Sequence, residues 1–122
     1  MDIYKGTELK VAITLEANGF DMYNDNFRIE VASLRDSVYA DTLEDAGGDQ
    51  YNGIILYKDL APVNPQDDSA PEVYQWYAII DTSRLSLGDL RMIATAYVPD
   101  AHADGGIRSE IAVAKLCKLV NP

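Results

Sequence analysis

Hydrophobic and polar positions alternate with period two along much of the chain. Between Thr7 and Ala17, Leu9, Val11, Ile13 and Leu15 lie on one side, with Glu8, Lys10, Thr14 and Glu16 on the other. That pattern predicts a strand with one buried face. Asn18-Gly19 ends it with a turn signal, and Asp21 to Asn26 reads as a polar connection. Phe27, Ile29 and Val31 then alternate with Arg28 and Glu30, giving a second strand, and Ser37 to Thr42 a short third. Gly47-Gly48-Asp49 is a turn. Tyr51 to Leu60 holds a continuous apolar run, Ile54 to Tyr57, of strand length. Pro62, Pro65 and Pro71 follow among Asn64, Asp67, Asp68 and Ser69. Proline removes ladder donors, so Ala61 to Pro71 is expected to be a long exposed loop.

Glu72 to Thr82 is the richest strand, with Val73, Tyr77 and Ile79 facing one way and Tyr74, Trp76, Ala78 and Ile80 the other. A strand apolar on both faces sits centrally in a sheet or touches a partner on its outer face. Ser83 to Gly88 has room for one helical turn at most. From Leu90 the chain reads as an alternating run, a polar loop around Pro99 to Gly106, and a second apolar run ending at Val120. In that last run Ile111, Val113, Cys117 and Leu119 alternate as in a strand, while Val113, Leu116, Cys117 and Val120 also fit helical spacing. Strand is preferred, because no strong helix elsewhere would pack against a helix here.

About seven short strands separated by turns predict an all-β fold over a single domain, residues 1–122. The expected form is an antiparallel immunoglobulin-like β-sandwich. Val11, Ile13, Leu15, Ile29, Val31, Trp76, Ile80, Ile93 and Val113 are its expected core. The usual inter-sheet disulfide is impossible, since Cys117 is the one cysteine. Cys117 reads as a small buried hydrophobe, and Trp76 can supply core mass instead.

A formal net charge of -10, from 20 acidic against 10 basic residues, changes which partners are plausible. Phosphate binding needs a basic surface, so nucleic acid is not expected as a ligand, nor is an anionic membrane. The acids concentrate between Asp36 and Glu72, where Lys58 is the single Lys or Arg. That stretch reads as one acidic face or a pair of acidic loops. MDIYKGTELK lacks the basic start and apolar stretch of a secretory signal, and no run approaches the ~18 apolar residues of a membrane helix. The expectation is a protein soluble in the compartment where it is made.

Candidate chemistry is sparse. The one histidine, His102, sits in Asp100-Ala101-His102-Ala103-Asp104, where oxygen and nitrogen ligands could alternate around a metal. The spacing fits no calcium loop and lacks a bidentate acid, while Asp and Gly suit a hairpin turn anyway. Asp21, Asn24, Asp25 and Asn26 likewise read as turn formers. A triad would require His102 to find Ser109 and an acid, with no nucleophile-elbow pattern in support. Paired carboxylates for glycosidic chemistry would need a deep cleft that a small sandwich hardly offers. No glycine-rich phosphate loop is present. No catalytic residue, cofactor or metal site is therefore expected. Eight tyrosines could stack on sugars or anchor a protein interface, or simply occupy half-buried strand faces.

Three stretches carry a resemblance. The first is Lys5-Gly6-Thr7 with the following strand and Gly19-Phe20-Asp21-Met22; the second is the central strand ending in Asp81-Thr82. The third joins Ala96-Tyr97-Val98-Pro99-Asp100 to Gly106-Ile107-Arg108-Ser109-Glu110-Ile111. Together they resemble a family of small β-domains encoded in phage and prophage-like regions of gut Bacteroides-type bacteria. Those domains are similar to the immunoglobulin-like module of phage baseplate and tail-fibre proteins. The resemblance spans most of the chain in patches and leaves Gly47 to Pro71 unmatched. The family tends to carry an aromatic and a proline between Val98 and Arg108, where this chain has Ala101, Ala103 and Gly105.

The resemblance implies a non-enzymatic structural or interaction module of a phage tail or baseplate. Its partners would be other virion or tail proteins and further copies of itself, met in the cytoplasm during assembly and then in the virion. The alternative is a carbohydrate-binding β-sandwich that uses tyrosines on an exposed sheet face.

Overall fold

The computed structural model describes residues 1–44, 51–62 and 72–122. Eight strands follow in chain order: β1 (Asp2–Tyr4), β2 (Glu8–Ile13), β3 (Phe27–Ala32), β4 (Ser37–Asp41), β5 (Ile54–Pro62), β6 (Glu72–Asp81), β7 (Gly88–Pro99) and β8 (Ile107–Val120). The seven expected strands all form, and the ambiguous last run is a strand. β1 is the addition, since three residues are too few to display alternation. β2 ends at Ile13 instead of Ala17; beyond it the Leu15 amide turns to the Met22 sulfur at 3.3 Å. β5 runs on through Pro62, so the proline-rich loop begins later than expected. The rest of that loop and the Gly47-Gly48-Asp49 turn lie outside the described residues. The single helical turn is a 3-10 turn at Thr82–Arg84, capped by Asp81, which accepts the Ser83 N–H.

The strands form two sheets, one ordered β1-β8-β7-β3-β4 and the other β2-β6-β5. Neighbours are antiparallel except β1, which runs parallel to β8 with Asp2 beside Lys118 and Tyr4 beside Val120. The fold is thus an all-β, two-sheet sandwich with one parallel pair. The sheets touch through the backbone where β4 nears the start of β5: the Tyr39 N–H donates to Asn52 O at 3.0 Å. Gly53, beside Tyr39, has φ +96, and a Cβ there would lie 2.3 Å from Val38 Cγ1. Only glycine fits that approach.

Inward positions of β3, β6 and β7 fill the interior. Phe27, Ile29, Val31, Ala78, Ile80, Leu90 and Val98 are fully buried, joined by Leu85 from the turn. Phe27 meets Trp76 edge-on with ring centroids 5.0 Å apart. Of the expected core, Ile13, Ile29, Val31 and Ile80 are buried, while Val11, Leu15 and Trp76 pack against it half-buried. Two expectations need correction. Ile93 lies half-buried opposite Val113, and Val113 is 61% exposed. β7 does alternate, with Leu90, Met92, Ala94, Ala96 and Val98 between Asp89, Arg91 and Thr95, but a bulge at Leu116 in β8 puts Val113 on the face opposite to the buried Cys117 and Leu119. Leu90, Ala94, Ala96 and Val98 are the inward set of β7.

Buried polar side chains are few and bonded. Thr82 accepts the Gly6 N–H at 3.0 Å and donates to Thr7 O at 2.6 Å, tying the β1–β2 turn to the end of β6. Among the described residues no buried side-chain nitrogen or oxygen lacks a partner.

Ile29→Ala and Ile80→Ala are each expected to cost ~2–5 kcal/mol, as large-to-small core changes do. Val113→Ala should stay within about 0.5 kcal/mol, the range of ordinary surface changes. Urea unfolding measures all three, and a Val113→Ala cost equal to that of Ile80→Ala would contradict this core.

Candidate functional site

The loop between β7 and β8 is built by its own acids. Asp100 Oδ1 accepts the His102 N–H at 2.9 Å, and Asp100 Oδ2 accepts Arg108 Nε at 3.0 Å. His102 is exposed. Ser109 sits on β8 opposite Tyr97. In the Asp21–Asn26 turn, Asp21 takes the Tyr23 N–H and the Asn24 side chain, while Asp25 takes the Asp21 N–H. These side chains hold backbone and one another. Among the described residues no three His, Cys, Asp or Glu converge as a metal site would need. Cys117 is buried, and burial raises its thiol pKa, which keeps it protonated and poorly nucleophilic.

One member of the acidic stretch stands apart from any acidic face. Asp41, at the end of β4, is 3% exposed. Its Oδ1 accepts the Leu43 N–H at 2.9 Å, and its Oδ2 accepts the Tyr97 hydroxyl at 2.6 Å. Burial, followed by this bond to a carboxylate, pushes the Tyr97 pKa up to about 12. The pair pins the end of β4 to the end of β7, with Arg28 nearby on β3. Residues fifty-six apart in sequence meet here, and the local pattern carried no sign of it.

The tyrosines share a different feature. Tyr23, Tyr39, Tyr51, Tyr57, Tyr74 and Tyr77 each lie under a Lys or Arg. Lys10 covers the stacked Tyr57–Tyr77 pair on the outer face of the three-stranded sheet, 4.5 Å from the Tyr77 centroid. That lysine covers part of the apolar outer face of β6. At the other end of the same sheet, Lys58 opposes Trp76 in register, and the 21–26 turn brings Tyr23 to within 4.9 Å of Tyr74. Trp76 Nε1 donates to Met22 O at 3.0 Å, fixing the turn on the sheet. Lys58 Nζ lies 4.3 Å from the Tyr23 centroid, 5.4 Å from that of Tyr74 and 5.6 Å from that of Trp76. A cleft of about 150 Å³ opens beside this cluster, lined by Ile13, Leu15, Met22, Tyr74 and Trp76. It is a place where a sugar could stack. Its ring faces, however, already hold a cation, whose attraction a sugar would have to replace.

The outer face of the five-stranded sheet grades from charged to apolar. One row runs Tyr39, Glu30, Ile93, Val113 across β4, β3, β7 and β8; the next runs Asp41, Arg28, Thr95, Ile111. Arg28 bridges Glu30 at 3.1 Å and covers Tyr39 at 4.1 Å. At the β8 end the charges stop. Ile107, Ile111 and Val113 are 47%, 66% and 61% exposed. Ala112 and Ala114, on the inward side of β8, are exposed as well. The sequence did carry a signal for this surface: Ile111-Ala112-Val113-Ala114 is apolar at consecutive positions, which no one-faced strand needs.

Tyr97 ionises near 10.0 when unperturbed and near 12 here, so its contribution to stability is complete below about pH 10. It fades as pH rises from 10 to 12. Tyr97→Phe is expected to lower stability at neutral pH by about 1–2 kcal/mol. The gap to wild type should close above pH 10 in urea titrations; a gap that stays constant would contradict the pair. No family model, curated protein or solved structure matches this chain.

Proposed function

We propose that this protein is a non-enzymatic immunoglobulin-like interaction module of a phage tail or baseplate, working through contacts with tail proteins and further copies of itself. The strand order supports the immunoglobulin-like part. In that fold, sheets of strands B, E, D and of G, F, C face each other, and variable-type domains add C′ beside C. Reading β2 to β8 as B, C, C′, D, E, F and G reproduces those neighbours, with β1 as a short strand beside G. The chain departs from antibody domains in its core. β3 supplies Phe27, whereas the tryptophan comes from β6 and stands edge-on to it.

The observation that carries the interaction reading is the apolar strip on β8. Ile111 and Val113 form an exposed apolar pair beside Ile93, with Ile107 beyond Ser109 on the same face, and water is a poor neighbour for such a pair. No helix among the described residues is long and apolar enough to cross a membrane. A protein partner is the occupant that suits a neutral, apolar strand. The phage setting rests on the resemblance of Lys5-Gly6-Thr7 with its strand and Gly19 to Met22, of the strand ending in Asp81-Thr82, and of Ala96 to Asp100 with Gly106 to Ile111. The aromatic cleft around Tyr23, Tyr74 and Trp76 favours the second reading, a carbohydrate-binding sandwich.

Light scattering at micromolar concentration is expected to show an oligomer, or calorimetry to show binding to a tail protein encoded beside this chain. A strict monomer that ignores those proteins, yet binds a glycan array and loses that binding in Tyr74→Ala, would overturn the first reading in favour of the second.

A further inference from the structure

Backbone geometry sharpens what the β8 strip can meet. Antiparallel ladders alternate, so every second residue of a strand bonds to one neighbour and the residues between point to the other side. The phase here is fixed at two places. The Asp100 N–H donates to Gly106 O at 2.9 Å, and the Tyr97 N–H donates to Asn26 O at 3.0 Å. Counted from the first bond, Arg108, Glu110, Ala112 and Ala114 exchange bonds with β7. Counted from the second, Arg91, Ile93, Thr95 and Tyr97 of β7 are committed to β3, which agrees. Pro99, which has no N–H, falls opposite Ile107 in a non-bonded pair. The amides and carbonyls of Ile107, Ser109, Ile111, Val113 and Lys115 therefore point to the far edge of β8.

Little occupies that edge. β1 covers β8 only at Lys118 to Val120, with Met1 O accepting the Lys118 N–H. Among the described residues no backbone bond reaches the far edge between Ile107 and Cys117. Natural edge strands are guarded by lysine, proline, bulges or short length. β8 is long; Lys115 and a bulge at Leu116 guard its end near β1, and from Ile107 to Ala114 it has no lysine, proline or bulge. Charge then selects the occupant. Arg108 is paired with Asp100 and Glu110, and Lys115 lies 4.0 Å from Asp89. In a chain of net charge -10, this edge is a neutral strip along which two copies can approach.

We infer that the far edge of β8 pairs with the same edge of a second copy, antiparallel about a two-fold axis at Ala112. A two-fold axis perpendicular to the sheet keeps outer faces together, so facing residues must share parity. Centring on Glu110 sets two carboxylates against each other. Centring on Ala112 pairs the stretch from Ser109 to Lys115, and beyond it the bulge at Leu116, where the register with β7 shifts, ends the regular ladder. That register places Ile111 opposite Val113 twice and Ser109 opposite Lys115 twice, with no like charges facing. It also brings each outward amide onto an outward carbonyl, closing one continuous sheet across both copies. Strand-edge interfaces are small, so the dimer is expected to depend on concentration.

This inference rests on the interaction reading and names the surface that reading would use. Three variants test it by sedimentation equilibrium and oxidative cross-linking. Ile111→Pro removes an amide that points away from β7, so the fold is retained while dimerisation should weaken at least about tenfold. Val113→Lys should do the same without touching the backbone. Ala112→Cys sits in a non-bonded pair, where Cα atoms approach to about 4.5 Å, and should cross-link as a disulfide-linked dimer under mild oxidation. A dimer that Ile111→Pro and Val113→Lys leave intact, with no cross-link at position 112, would overturn the β8 pairing while leaving the interaction reading in place. A wild type that stays monomeric, together with an Ala112→Cys variant that gives no cross-link, would also overturn it, and binding to tail proteins would then decide the broader reading.

Discussion

A three-stranded sheet cannot cover a five-stranded one, and most of this molecule's surface character follows from that mismatch. β2, β6 and β5 lie over the middle of the larger sheet, so the inward sides of β3, β4 and β7 are buried. β2 stops at Ile13, and the chain leaves the sheet through Leu15 to Ala17. There a groove of about 160 Å³ opens against Ala94, Ala96 and Ala112. Past that groove, among the described residues, the middle of β8 has no second layer above it. Its inward side carries alanines, which lose little by exposure, but its outward side carries isoleucine and valine. Each such side chain would gain roughly 1.5–3 kcal/mol on full burial, which gives an assembly a reason to form there.

The rest of the surface is managed by charge. The chain holds ten Lys and Arg residues, and four of them (Lys10, Arg28, Lys58 and Arg84) lie over tyrosine rings. Each contact contributes ~0.5 kcal/mol or somewhat more at an exposed site, and it shields ring area that would otherwise face water. Arg108 and Lys115 are held by acids. Six of the ten basic side chains are thus engaged locally, and the apolar part of β8, Ile111 to Ala114, carries no charge of its own. A net charge of -10 opposes the approach of two copies, and least where such an uncharged stretch meets its own copy.

Local pattern carried the strands, because period-two alternation needs only neighbours in sequence. β2, β3 and β6 were legible for that reason, and so was the strand state of β8. What failed was phase. Val113 shares its odd numbering with the buried Cys117 and Leu119, but the bulge at Leu116 turns it to the outer face, where Ile93 lies opposite it. β1 was invisible because its three residues take their register from β8 at the opposite end of the chain. The Asp41–Tyr97 bond and the Lys58–Tyr23–Tyr74 cluster were illegible for a similar reason, since each joins residues that only the folded sheets bring together. The unguarded edge was half legible: the run Ile111 to Ala114 announced two apolar faces, but only the register showed where its amides point.

The central claim is that β8 has an alternating backbone, one side closed by β7 and the other open for a second copy. Site-resolved amide hydrogen exchange, measured in dilute and in concentrated protein, tests it most directly. Arg108, Glu110, Ala112 and Ala114 are expected to exchange slowly at both concentrations, while Ser109, Ile111, Val113 and Lys115 exchange fast when dilute and become protected when concentrated. Fast exchange of that second set at both concentrations, or slow exchange of it in dilute protein, would contradict the account.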